Sequence, residues 1–120
     1  MNSQLWRLLA IGVLWCSVRG EAQQLYGGPD LYRQYCASCH GLNAQGDGPV
    51  AAALKVKVPD LTRIAQRHGG TFPSSDVRDT IDGREAPRAH GTRTMPVWGE
   101  LFNQQATYRL LAYLQSIQAG

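Results

Sequence analysis

The 120-residue chain lacks the sequence features that stabilise or anchor many small domains. It has only three cysteines and none after Cys39, so the second spaced pair of a typical zinc site is missing. The one long apolar run, residues 8–18, is too short for a membrane-spanning helix, which needs about 20 residues. There is no internal repeat and no useful stretch of strand-like alternation. A helical fold stabilised without structural disulfides is therefore expected.

Residues 1–22 have the layout of a secretory signal peptide. Arg7 precedes the apolar run, and the small residues Gly20 and Ala22 follow it as candidate cleavage sites. A buried N-terminal helix is the alternative interpretation. We expect export, cleavage near Gly20 or Ala22, and a single domain over residues 23–120 with no stable membrane insertion.

The expected mature domain is close to neutral. Removing Arg7, Arg19 and Glu21 from 12 basic and 9 acidic residues leaves a net charge of +2. This balance does not indicate nucleic-acid binding. A domain of this size has a marginal core, so a buried apolar cofactor would add stability that the chain needs.

The central motif is Cys36-Ala37-Ser38-Cys39-His40, a C-x-x-C-H sequence. On a helix its two thiols and its imidazole fall on one face, because they are spaced i, i+3 and i+4. This pattern marks covalent attachment of a c-type haem, with the histidine as an axial iron ligand. A thioredoxin-like redox pair would need a helix starting at the first cysteine, whereas here the helical pattern precedes Cys36.

Helical signals cover most of the remaining chain. Pro29 suits a helix start, Asp60 is a candidate N-cap, and Ser74 or Ser75 could cap another helix. A single apolar stripe marks the last helix, with Ala106, Leu110, Tyr113, Leu114 and Ile117 on one face. The expected helices are 29–39, a short turn at 51–54, 61–67, 76–81 and 103–117.

Residues 84–99 form an irregular segment that is expected to carry function. It contains Met95, the only methionine outside the expected signal peptide, followed by Pro96 and Trp98. A thioether is a suitable second axial ligand for haem iron, although a lone methionine is more commonly core filler. Trp98 could form an apolar wall of the haem pocket, with its N–H reaching a polar group such as a propionate.

Other polar residues offer weaker candidates. His68 lies at the expected end of a helix and is interpreted as solvated, whereas His90 could lie at the pocket edge or act as an alternative ligand. One of Arg84, Arg88 and Arg93 could pair with a propionate, but a solvated loop is the preferred interpretation.

Several short motifs together resemble the small class I c-type cytochromes that bacteria export to the periplasm. They are Leu31-Tyr32, Cys36-x-x-Cys39-His40-Gly41, Gly46-Asp47-Gly48-Pro49, Pro59-Asp60-Leu61-Thr62, Ile81-x-Gly83, His90-Gly91, Met95-Pro96-x-Trp98-Gly99 and Leu111-Ala112-Tyr113-Leu114. The resemblance implies an all-α cytochrome c fold, with short helices around one covalent haem and with the first and last helices crossing. It also implies that Cys36 and Cys39 bind haem c and that His40 and Met95 ligate its iron. The Pro49 carbonyl is then expected to accept the His40 ring N–H.

The function expected on these grounds is electron transfer in a periplasmic respiratory or oxidative chain, with no catalytic residue. Two protein ligands would leave the iron no open site, so the partners would be a redox donor and an acceptor. A fixed relay subunit of a dehydrogenase or oxidase complex is the alternative. A gas sensor or peroxidase-like enzyme would need Met95 to be displaced, with His90 and Glu85 as the nearby acid–base candidates.

Overall fold

The computed structural model describes residues 26–83 and 95–120. Within these ranges the chain is helical and contains no strand, which agrees with the all-α class. The α-helices are α1 Gly28–Tyr35, α2 Ala37–His40, α3 Ile64–Arg67, α4 Ser74–Asp82 and α5 Gln104–Ser116, with 3₁₀ turns at Ala51–Ala53 and Leu61–Arg63. The expected signal peptide, residues 1–22, lies outside the described residues.

The first expected helix, 29–39, is divided in the structure. Helix α1 ends at Tyr35 and α2 begins at Ala37, because Cys36 has a φ of −119° between them. The N–H of Cys36 still donates to the Tyr32 carbonyl at 2.9 Å, and the Cys36 carbonyl accepts from the His40 N–H at 2.9 Å. The break therefore still leaves the attachment motif on a helical turn.

Helices α1 and α5 cross at close range, as the resemblance implied. A Cβ atom on Gly28 would lie 2.7 Å from the Tyr113 Cβ and still closer to the Arg109 carbonyl oxygen. Next to this contact, the rings of Tyr32 and Tyr113 have centroids 5.3 Å apart. The missing side chain of Gly28 thus sets the distance between the two helix backbones.

The buried core forms around this crossing. In the expected stripe, Leu110 and Leu114 are buried, whereas Ala106, Tyr113 and Ile117 are only partly buried. Thr107 and Leu111 are buried as well, so the buried face of α5 is wider than the stripe. The core consists of Leu31, Tyr32, Ala37, Ala44, Ile81, Phe102, Leu110, Leu111 and Leu114.

In the middle of the chain one predicted helix cap is present, but the α-helix after it begins later than predicted. Asp60 caps the next element as expected, and its carboxylate accepts from the Thr62 N–H at 2.8 Å. The element begins as a 3₁₀ turn and becomes helix α3 only at Ile64. Gly69 and Gly70, just after it, have positive φ angles that favour glycine.

Helix α4 starts earlier than expected. It begins at Ser74 with Pro73 as its N-cap residue and no side-chain cap, so neither Ser74 nor Ser75 has the capping role predicted for it. Gly83 ends α4 in the left-handed conformation, as its position after Ile81 suggested. Asn103 caps α5 through the Ala106 N–H at 2.8 Å. None of the helices in the described part of the chain is long and apolar enough to cross a bilayer.

Candidate functional site

The structure brings the C-x-x-C-H motif together at the junction of α1 and α2. Cys36 and Cys39 are half-buried free thiols, and His40 is buried with 8% of its surface exposed. The N–H of Cys39 approaches the Cys36 carbonyl at 3.2 Å, which is the local turn that the motif spacing predicts. The side chains of Cys36, Cys39 and His40 therefore project from about one and a half turns of helix.

The thiol environment differs from that of a reactive redox pair. Burial, followed by the neighbouring Cys39, raises the pKa of Cys36 to about 11. Reactive thiols of redox C-x-x-C motifs instead have a lowered pKa, commonly at a helix N-terminus. Cys36 is the residue directly before α2, so its position alone does not exclude a redox pair, but its raised pKa disfavours the thioredoxin-like interpretation.

The imidazole of His40 is held by a backbone carbonyl. Its Nδ1 lies 3.2 Å from the carbonyl oxygen of Pro59. A carbonyl can only accept, so Nδ1 carries the proton and Nε2 keeps its lone pair. Burial lowers the pKa of His40, while the hydrogen bond to Pro59 opposes that shift. The ring is therefore a neutral base with its Nε2 lone pair available for a metal.

This contact corrects one expectation, because the carbonyl next to His40 belongs to Pro59 and not to Pro49. The segment around Pro49 is bound elsewhere: the Gly48 N–H donates to the Cys39 carbonyl at 3.1 Å, and the Val50 N–H donates to the Ser38 carbonyl at 3.0 Å. These bonds hold Pro49 beside the backbone of α2, where its side chain is exposed.

A second hydrogen bond beside His40 was not predicted from the sequence. Tyr32 is 1% exposed, and its hydroxyl donates to the Gly41 carbonyl at 2.6 Å. Burial is the main reason why the pKa of Tyr32 is raised above its ordinary value, so the hydroxyl stays protonated as a donor. Tyr32 thus links the α1–α5 crossing directly to the residue after His40, and nothing in its sequence position pointed to that bond.

The Met95 segment is held against the same core. Met95 is half-buried and packs on the core cluster, and the backbone N–H of Trp98 donates to the Ile81 carbonyl at 2.7 Å. The Trp98 ring lies 5.4 Å from the Tyr35 ring, and Phe102 contacts both. The segment that carries Met95 is thereby attached to the residue directly before Cys36.

The donor set fits a covalently bound haem. Two thiols share one helical segment with a neutral imidazole of fixed tautomer, and a thioether segment packs against the end of α1. In the described ranges no group of three or more His, Cys, Asp or Glu side chains could hold a metal ion by itself. His68 is exposed, with Nδ1 2.8 Å from the Ile64 carbonyl, in keeping with its solvated interpretation. The predictions for Arg84, Glu85, Arg88, His90 and Arg93 fall outside the described residues.

Comparison with known proteins gives a family and one weak relative. The family model described as "Cytochrome c" matches residues 27–118. The chain is 28% identical over 93 residues to a protein of Azospirillum brasilense named as the cbb3-type cytochrome c oxidase subunit CcoP. The match covers 78% of this chain and 28% of that relative, so the chain spans under a third of the relative's length. No solved structure matches the chain.

Proposed function

Because the chain belongs to the cytochrome c family, whose cofactor is covalent haem c, we propose that it carries electrons with His40 and Met95 as the two axial iron ligands. The bound iron supplies the chemistry, cycling between Fe(III) and Fe(II). Cys36 and Cys39 have the spacing for the two thioether links. The observation that carries the proposal is the fixed tautomer of His40, whose Nδ1 is engaged by Pro59.

The surrounding residues support a carrier, because they hold the proposed ligands in place and bury His40. His40 is buried and oriented by a carbonyl, which is how outer contacts fix a metal-ligating imidazole. Met95 lies on a segment held by the Trp98–Ile81 hydrogen bond and by aromatic packing on Tyr35. Two protein ligands on rigid supports favour electron transfer with little rearrangement over ligand binding.

We place this activity in the bacterial periplasm, as an electron carrier between a redox donor and an acceptor. The support is the sequence of residues 1–22, with Arg7, an apolar run and small residues before the domain. A relay role within an oxidase complex is the second candidate, supported by the similarity to the protein named as an oxidase subunit. Size exclusion of the native protein, together with the neighbouring genes, separates a free carrier from a subunit.

The test is the mass and visible spectrum of the full chain, matured with haem-attachment machinery, in three forms: wild type, Met95→Ala and Val97→Ala. Val97 is exposed on the same segment and serves as the control. We expect wild type and V97A to show low-spin haem with a thioether–iron band that resists CO and cyanide. M95A should lose the band and bind both ligands.

Two outcomes would contradict the proposal. Removal of the colour from wild type by acid–acetone, leaving free thiols, would show that the haem is not covalent. A persistent thioether band in M95A, or equal CO binding by wild type and M95A, would show that Met95 is not the sixth ligand. Equal CO binding by wild type and M95A would favour the sensor or peroxidase-like alternatives.

A further inference from the structure

The side-chain amide of Gln118, near the C-terminus, joins three backbone groups. Its Oε1 accepts from the Ala65 N–H at 2.8 Å, and its Nε2 donates to the carbonyls of Leu61 at 2.8 Å and Leu114 at 2.7 Å. A primary amide has two N–H donors, so both are used here. The two carbonyls lie next to Nε2 and the Ala65 N–H lies next to Oε1, so these partners fix the orientation of the Gln118 amide.

These bonds satisfy backbone groups that helix ends leave open. The Ala65 N–H lies in the first turn of α3, and the Leu114 carbonyl lies in the last turn of α5. One side chain therefore caps two helices through Ala65 and Leu114, which are 49 residues apart in sequence. A separate backbone bond, from the Ala119 N–H to the Thr62 carbonyl at 2.8 Å, supports the same junction without the Gln118 side chain.

The contact to Leu61 leads directly to the imidazole. The Leu61 N–H donates to the Ala44 carbonyl at 2.7 Å, and the Leu61 carbonyl accepts from Gln118, so this residue is held from both sides. Pro59, two residues earlier, presents its carbonyl to His40. The position of that carbonyl thus depends on Leu61, which Ala44 holds through its N–H and Gln118 holds through its carbonyl.

We propose that Gln118 is a positioning residue that holds the Pro59 carbonyl against His40 and so contributes to the reduction potential of the protein. The inference rests on the proposed function, in which His40 ligates the iron. A hydrogen bond to the outer nitrogen of a ligating histidine raises the basicity of the ligand. A weaker bond to Pro59 would make His40 a poorer donor to Fe(III), so the potential should rise.

The experiment compares wild-type holoprotein with Gln118→Ala, Gln118→Met and Gln115→Ala. Methionine keeps the length of the side chain without its hydrogen bonds, which separates lost bonding from lost volume. Gln115 is exposed in the last turn of α5, three residues before Gln118, and is the matched control. The Ala119–Thr62 bond remains in both Gln118 variants, so we expect each of them to fold and to take up haem.

Two readouts report on His40 itself. At a fixed solution potential, the ratio of reduced to oxidised protein should rise about threefold in Q118A and Q118M, a shift of about 28 mV for a one-electron couple. Losing a direct outer contact of a metal ligand typically lowers metal affinity or activity 10- to 100-fold. We expect a smaller effect here, because Gln118 acts on His40 only through Pro59. In the reduced protein the His40 Nδ1 proton should move upfield and exchange faster with water. Q115A should match wild type in both.

The outcomes separate this inference from the function on which it rests. A wild-type protein without His/Met-ligated haem refutes the proposed function before any variant is compared. If wild type has that ligation, unchanged potential and unchanged His40 resonance in both Gln118 variants would overturn the positioning role, whatever happens to the melting temperature. Loss of holoprotein in both Gln118 variants, with Q115A normal, would also overturn it, because Gln118 would then act in folding alone.

Discussion

The crossing of α1 and α5 makes a quantitative prediction for Gly28→Ala. The added Cβ would lie 2.7 Å from the Tyr113 Cβ and 3.0 Å from the Arg109 carbonyl carbon, closer than ordinary carbon contacts of about 3.5–4.0 Å. The obstructing atoms are backbone and Cβ atoms, which no rotamer change can move. The helices must therefore separate by roughly 1 Å, which loosens packing along the whole crossing.

The expected cost follows from these contacts. Overpacking a well-packed core costs about 1–3 kcal/mol, and the higher helix propensity of alanine offsets at most about 1 kcal/mol of it. In a domain of this size, 1 kcal/mol lowers the melting temperature by about 4–8 °C. We expect G28A to melt about 5–15 °C below wild type in thermal unfolding of the holoprotein followed by circular dichroism.

The matched control is Gly27→Ala. A Cβ at Gly27 would meet its nearest neighbours, in Asp30 and Pro29, at 3.5 Å, which is ordinary contact. Its cost should stay below about 1 kcal/mol, because only the N-cap preference changes. If G28A melts no lower than G27A, the helices do not approach at Gly28 as the structure shows, and the account of the crossing is wrong.

Two further substitutions test the contacts on either side of His40. Tyr32→Phe removes the buried donor to the Gly41 carbonyl and should lower the free energy of unfolding in urea by about 1–3 kcal/mol. The control Tyr108→Phe, at an exposed site, should change it little. Equal stability of the two variants would refute the role of the Tyr32 hydroxyl. The Thr62 hydroxyl holds the pKa of Asp60 below its ordinary value of 3.8, so Asp60 contributes stability that is present above that value and lost as the pH falls through the folded-state pKa. Asp60→Asn keeps a capping oxygen but not the charge, so it should be slightly less stable than wild type at pH 7 and should lose less stability between pH 5 and pH 2. Identical acid profiles in urea titrations would contradict this assignment.

Local chemistry explains what could be predicted from the sequence. The C-x-x-C-H motif, the Asp60 cap and the stripe on α5 each depend on residues within about three helical turns of one another, so their spacing alone contains the information. The crossing of α1 and α5 was implied by family resemblance and is confirmed in the structure. The break at Cys36 and the early start of α4 were missed, because helix boundaries depend on neighbours as well as on propensity.

The environment of His40 shows where sequence reasoning stops. Pro49 and Pro59 are the first two prolines after the motif, and either could supply a carbonyl. The choice depends on how the intervening loop closes. The Ala44–Leu61 hydrogen bond closes that loop so that Pro59, 19 residues after His40, reaches the ring. The motif therefore identifies the cofactor, whereas the basicity of His40 in its proposed role as a ligand depends on backbone contacts between distant parts of the chain. Substitutions far from the motif should for this reason change the potential while the attachment chemistry stays the same.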